Sequence, residues 1–382
     1  MMSSLTIDPI VVLTIATIGI AFSYWLESRF RWARRIGNVI ILITIGLILS
    51  NLHIIPFESS VYDGTMSIGI PISISLLLLR LDIKDLKTLD RQCVGYFFLC
   101  CIATIIGAVI AHLAFGSLIG EESWKLAGQL TASYTGGGEN AVAVGTSLEV
   151  TKELFSSTFA ADNIVTAIWM LICLSGPVGL GRFFSNVAPM EVAEAPKEQS
   201  KPFTSREFLP SLFYSLATAG VILVVSQMIG NALKAQGFVS WNTKIIWVTT
   251  LSLLVAQTPF RRNFKVSYLL GTLIFNYFFF AMGAISSIQE VINYGPRVFV
   301  YVTTVVVIHG IIVLGVGKMM KANLPKLLTA SQAAIGGPAT AAALAEANNW
   351  PQLVIPGVLM GIMGYAVANY MGFIIAFLMK TF

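Results

Sequence analysis

The sequence predicts an all-α polytopic membrane protein built from two inverted-topology repeats, each with about five transmembrane helices and one broken or re-entrant Gly-Gly segment. Three observations carry that expectation. Hydrophobic residues make up 56% of the 382-residue chain and charged residues only 11%, whereas a soluble protein carries about 25% charged residues to cover its surface. Apolar stretches of about 20 residues, the length that crosses a bilayer, recur along the whole chain. Two of those stretches, one in each half, share a Thr-Ala-Ser start and a Gly-Gly interruption.

The apolar segments lie at 9–26, 36–52, 64–80, 92–117, 126–147 and 158–181, and again at 208–233, 245–258, 266–286, 298–317, 327–345 and 352–379. The first run has neither the basic start nor the small-residue cleavage site of a secretory signal and is expected to stay in the mature protein. Between the two sets of six lies one long hydrophilic stretch, rich in Pro, Glu and Lys, which reads as a linker. The expected organisation is a first repeat at 1–182 with its N-terminus outside, a cytoplasmic linker at 183–207 and a second, inverted repeat at 208–382.

The net charge of +5 belongs to short loops that orient the chain and calls for no nucleic-acid partner. If all twelve segments cross, the 24 basic residues divide evenly between the two faces, against the positive-inside rule. If the two Gly-Gly segments enter the membrane and return to the same face, loops 27–36, 80–92, 182–208, 259–265 and 318–326 collect 18 of the 24 on the cytoplasmic side. Re-entry fits the rule, and an odd number of crossings per half then turns the second half upside down. A fully crossing but unwound helix is the alternative. Irregular backbone at depth is tolerated where it lines protein or a wet cavity.

The fifth segment of the first half runs Thr131-Ala-Ser-Tyr-Thr-Gly136-Gly137-Gly138-Glu139-Asn140, and that of the second runs Thr329-Ala-Ser-Gln-Ala-Ala-Ile-Gly336-Gly337-Pro338-Ala339-Thr340. The preceding segments each hold one histidine, His112 and His309, which are expected to pack or bridge helices. A glycine break leaves one half-helix with free carbonyls and the next with free amides; carbonyls suit Na⁺ and amides suit anions. Packing through small residues in the Gly-x-x-x-small manner is the competing explanation, and it leaves the paired breaks and their polar neighbours unexplained. The hydroxyl, amide and glycine groups at the breaks, Thr131, Ser133, Thr135, Gly136, Gly137, Gly138, Ser331, Gln332, Gly336, Gly337 and Thr340, are the expected solute-binding residues.

Most acids fall in loops. Glu139 follows the triple glycine, Asp162 lies just inside the sixth segment, and Glu346 ends the second broken segment at the interface. A charge at bilayer depth costs about 2.5–3.5 kcal/mol on insertion scales unless paired or hydrated. Glu139, Asn140, Asp162 and Asn163 are therefore the expected ion-coupling residues. The four cysteines, Cys93, Cys100, Cys101 and Cys173, sit in apolar runs without metal spacing. No phosphate-binding Gly-x-x-x-x-Gly-Lys loop and no His-Glu-x-x-His motif is present, so neither an enzyme nor a tightly bound metal or cofactor is expected.

The Gly-Gly-Gly-Glu-Asn block at 136–140, the Ala-Ala-Asp-Asn block at 160–163 and the Gly-Gly-Pro-Ala-Thr block at 336–340 resemble the YjcL-type family of membrane proteins, a domain of unknown function, over nearly the whole chain. That family is similar in organisation to bile-acid, glutamate and citrate sodium symporters and to cation/proton antiporters. The resemblance implies a mobile core at 92–181 and 298–379, the remaining segments forming a scaffold and the face of a homodimer in a bacterial inner membrane. It likens Asp162-Asn163 to the acid/amide pair of the antiporters. Pro338-Ala339 stands where the first break has Gly138-Glu139, so any ion site is asymmetric. The expected function is a Na⁺- or H⁺-coupled secondary transporter of a small anionic organic solute, working by alternating access; the alternative is a cation/proton antiporter with no organic substrate.

Overall fold

A computed structural model describes residues 8–30, 33, 38–184, 205–238, 243–285 and 288–381. Most of the expected linker, 185–204, lies outside them. The described chain is helical throughout, and eight of its helices are long and apolar enough to cross a membrane. They are α1 (Pro9–Arg29), α3 (Ser60–Leu78), α5 (Arg91–Ile119), α8 (Lys152–Gly179), α9 (Ser205–Ala235), α11 (Ser267–Ala284), α12 (Ile288–Met319) and α14 (Pro351–Met379). Two shorter apolar helices, α2 (Asn38–Asn51) and α10 (Lys244–Ala256), occupy the second position of each half. A single turn, α4 (Ile83–Leu86), precedes α5. The chain is a multi-pass integral membrane protein.

Local chemistry sets the helix ends. Asp8 caps α1 by accepting from the Ile10 amide at 2.8 Å, with Pro9 in the first helical position, where its missing N–H costs nothing. Asp90 caps α5 in the same way through Gln92. Asn323 caps α13 (Leu324–Ala347), accepting from the Lys326 amide at 3.1 Å.

The first Gly-Gly segment divides at Gly137 into α6 (Ser123–Gly136) and α7 (Gly138–Ser147). As one straight helix, residues 123–147 would span about 37 Å at 1.5 Å per residue. Instead the chain folds back on itself. Lys125 Nζ donates to the carbonyl of Glu149 at 2.8 Å, and the Glu122 carboxylate accepts from the amide and hydroxyl of Thr151. Halfway up, Gly145 lies against Gln129. The first Gly-Gly segment is therefore a hairpin whose two ends share one face.

Helix α14 fixes how the second broken helix, α13, stands to the first. Its Gly357 packs on Thr329 and Ala341, Gly361 on Pro338, Gly364 on Thr135 and Gly136, and Gly372 on Gly128, Ala132 and Val144. Its N-terminal part thus lies along α13 and its C-terminal part along the first hairpin. The two broken elements approach from opposite ends of α14, and their breaks come together near its middle. Helices α5 and α12 bracket the same axis in opposite directions: Tyr96 and Gly116 of α5 touch Asn323 and Ser123, whereas Tyr301 and Gly317 of α12 touch Ser123 and Leu327.

The remaining helices form a second body. Gly46 of α2 rests on the backbone of Phe280 and Ala284, and Gly283 of α11 on that of Ile43 and Leu47. This reciprocal contact brings the two helices closer than larger side chains permit. Gly271 of α11 sits against Ser73 and Leu77 of α3. Phe159 of α8 meets Phe278 of α11 edge-on at 6.0 Å, part of the apolar seam between the two bodies.

Basic loops converge on one end. Arg261 pairs with Asp82, Arg80 donates to the Lys265 carbonyl, Lys265 pairs with Glu207, Lys326 pairs with Asp90, and Lys318 lies over the Phe183 ring. Lys125, Lys152, Lys244 and Lys380 lie at the opposite end, with Glu122, Glu58, the Ser67 carbonyl and Trp124 respectively. These contacts follow the sidedness that the charge distribution requires when the first broken segment re-enters.

Candidate functional site

Both breaks are single glycines in backbone that side chains avoid: Gly137 has φ 90° and ψ 175°, and Gly337 has φ 79° and ψ −172°. A Cβ added to Gly137 would stand 3.6 Å from the Cα of Gly337, so the two breaks touch. The residues that end the two broken elements, Glu149 and Asn349, also share left-handed backbone, at φ 54° and φ 55°. Gly137 and Gly337, like Glu149 and Asn349, are 200 positions apart. That spacing keeps the register in which Pro338-Ala339 stands opposite Gly138-Glu139. Thr131 precedes its break by six residues and Thr329 by eight, so the Thr-Ala-Ser match is two residues out of step, and Gln129 stands opposite Thr329.

The four residues expected to share a cation divide among three environments. Asp162 is 7% exposed; its carboxylate accepts from Ser133 Oγ at 2.8 Å and from Thr166 Oγ1 at 3.3 Å, with the Tyr134 hydroxyl beside it. The Ser133 carbonyl in turn accepts from the Gly137 amide at 2.6 Å, which ties this carboxylate to the break. Asn163 points elsewhere, donating to the Phe159 carbonyl of its own helix at 2.8 Å. Consecutive helical residues are turned by about 100°, so only one of the pair can face the hairpin.

Glu139, in the first turn of α7, bonds to the Tyr365 hydroxyl, and that hydroxyl lies beside Gly337. Asn140 donates to the Tyr365 carbonyl at 3.2 Å and to Asn369 Oδ1 at 2.9 Å; Asn369 passes the chain to Thr249 of α10. Thr250 and Tyr370 bond alongside at 2.7 Å. The body holding the breaks is thus hydrogen-bonded to the second body directly below the first break.

Among the expected solute-binding residues, Ser331 accepts from Trp169 Nε1 and bonds to His309 Nε2, while His309 Nδ1 meets Thr104, which donates to the Tyr134 carbonyl. His309 bridges helices, as expected of it. Thr131 and Thr329 donate their hydroxyls back to carbonyls of their own helices. Thr135 lies beside Cys101. Gly136 is covered by Gly364, Ala368 and Asn140, whereas Gly138 is partly exposed. Gln332 is fully buried next to Gly336 and Thr340, and neither atom of its amide has a hydrogen-bond partner. The four cysteines are free and buried. Glu346 is exposed at the end of α13.

Tyr134, Tyr268, Tyr365, Asn369, Thr104 and Gln129 escaped the sequence reading. Asn369 and Tyr365 carried a signal, being polar groups one turn apart inside a helix that is otherwise apolar. Tyr268 gave none, because its importance depends on Glu139 lying near it. It also lines a cavity of about 290 Å³ with Leu77, Arg80, Asp82, Leu359 and Ile362, at the basic end of the seam between the two bodies. A smaller cavity of about 160 Å³, lined by Met66, Ser67, Thr146, Ser147 and Lys244, opens at the other end.

Comparison with known proteins gives a family and one curated relative. Residues 13–382 match the family described as protein of unknown function (DUF819). The chain is 27% identical over 367 residues, 92% of each sequence, to the uncharacterized membrane protein YjcL of Bacillus subtilis (strain 168). With a family match running from the first transmembrane helix to the last residue, the chain belongs to the DUF819 family of membrane proteins.

Proposed function

We propose that this membrane protein is a secondary transporter that moves a small anionic organic solute, coupled to Na⁺ or H⁺, by alternating access. The observation that supports it best is the meeting of Gly137 and Gly337 at mid-bundle, with the buried Asp162 and the half-buried Glu139 on either side. Broken helices that present backbone groups at depth are how transporters bind ions and charged solutes without water. In this reading the hairpins and α5, α8, α12 and α14 form the moving body, inverted repeats relate its halves, and the two seam cavities are the entry routes. Each cavity has one cation on its wall, Arg80 or Lys244, and Asp82 at the first is already paired with Arg261. That favours an anion.

The test is flux in proteoliposomes. Uptake of the solute is expected to follow an imposed Na⁺ or H⁺ gradient and to fall at least about tenfold in Glu139→Gln. Uptake indifferent to the collapse of both gradients overturns the coupling.

A second reading, cation/proton exchange without an organic solute, is favoured by the burial of Asp162 among hydroxyls. It predicts proton release on adding Na⁺ or K⁺ in the absence of any solute, abolished in Asp162→Asn.

A further inference from the structure

The second break carries a buried side-chain amide that nothing in the protein satisfies. Gln332 is 0% exposed, and both its Oε1 and Nε2 lack a partner. An unpaired buried amide costs about 1–3 kcal/mol per group, so it marks a place where something else binds. Pro338 adds to the set. It has no N–H, so the Ala334 carbonyl loses the amide that a continuous helix would offer it. At the corresponding place in the first hairpin the Tyr134 carbonyl is satisfied by Thr104 Oγ1. Thr340 Oγ1 donates to the Gly337 carbonyl at 3.1 Å and keeps its lone pairs. The Gln332 amide and Thr340 Oγ1 both fall within 2.5 Å of the point where a Gly336 side chain would begin. The glycine keeps that space clear.

We propose that this pocket in α13, formed by Gln332, Thr340 and the carbonyl groups before Pro338, is a Na⁺ site. All its donors are neutral oxygens, once the Gln332 amide is turned so that Oε1 faces the gap, a half-turn that changes nothing else. Amides, hydroxyls and carbonyls do not titrate, so a proton gains nothing by entering. A divalent ion in so buried a place needs carboxylates to offset its desolvation, and neither Asp162 nor Glu139 contacts these groups. A monovalent cation fits the set, and the crowding around Gly336 selects the small one. The inference deepens the transport reading by assigning the coupling ion to Na⁺ and to the second break; the binding itself is measurable without transport.

The experiment is thermal unfolding of the purified full-length protein in NaCl, KCl and choline chloride at equal ionic strength, at pH 6 and pH 8. Na⁺ is expected to raise the melting temperature by about 2–5 °C over K⁺ at both pH values. Gln332→Ala and Thr340→Val abolish the difference, Gln332→Glu retains it because an oxygen remains, and Asp162→Asn leaves it intact. Unfolding in KCl reports whether each variant is folded. No difference between Na⁺ and K⁺ overturns the site, as does a Na⁺ effect that survives Gln332→Ala or vanishes in Asp162→Asn. Na⁺-specific stabilisation with no solute flux under any gradient sinks the transport reading and leaves the site standing. Flux driven by protons alone, without the Na⁺ effect, sinks the site and leaves the reading.

Discussion

Lys326 is 3% exposed, and its ammonium group is held by Asp90 and Gln92 at the basic end of α13. The sequence places Asp90 among ordinary loop acids. Nothing local reveals its partner, which is 236 residues away, and burial of Lys326 exists only once α5 and α13 pack. The Lys326 hydrogen bond, opposed by partial burial and aided by the Gln92 amide, holds the Asp90 carboxyl below the usual carboxylate range. A lowered folded pKa contributes stability above the unfolded value of about 3.9 and loses it as pH falls through the folded value. Wild-type protein is therefore expected to lose melting temperature in acid below about pH 4 more steeply than Asp90→Asn. At neutral pH that variant leaves a buried ammonium short of its charge partner and is expected to cost about 2 kcal/mol, read by thermal unfolding. By contrast, Asp162 was legible as exceptional because an acid within a membrane helix needs no partner to be conspicuous. Its neighbour Asn163 misled for a simple reason: adjacency in sequence is divergence on a helix.

The broken segments were legible as elements, since consecutive glycines in an apolar run have few other uses, but their geometry was only half legible. Counting basic residues gave the fold-back of the first, because loops on either side carry charge. Its register with the second was legible at the glycines, where Pro338-Ala339 answers Gly138-Glu139, and the positive φ of Gly137 and Gly337 keeps that register while the Thr-Ala-Ser match upstream runs two residues out of step. Those two glycines carry the strain argument. Alanine at Gly137 or Gly337 must adopt left-handed backbone, at about 1–3 kcal/mol, and at Gly137 its methyl also meets Glu139 at 3.2 Å. Both variants are expected to melt lower and to lose most transport. Gly220→Ala in α9, where a Cβ meets nothing within 4 Å, is expected to hold or gain about 0.5–1 kcal/mol because alanine suits a helix interior better. Equal effects at all three positions would deny the breaks any special role.

At the scale of the molecule, two bodies share a seam of mixed character. Its apolar part runs through Phe159 and Phe278, while its polar part is the Asn140–Asn369–Thr249 chain with Thr250–Tyr370 beside it. Apolar surfaces slide without penalty, whereas hydrogen bonds at depth must be broken or exchanged for the bodies to move. Removing them with Thr249→Val and Thr250→Val is expected to change transport rate several-fold while changing melting temperature little, since each such bond is worth about 0.5–1.5 kcal/mol. Alternating access through the paired breaks requires the two broken segments to enter from opposite faces. Single cysteines in a background lacking Cys93, Cys100, Cys101 and Cys173, placed at the exposed positions Glu121, Lys152, Met320 and Ala347, read this directly with a membrane-impermeant thiol reagent on intact cells. Positions 121 and 152 are predicted to label from outside, and 320 and 347 only after the membrane is opened. Labelling of 121 and 152 from opposite sides, or of all four from one side, contradicts it.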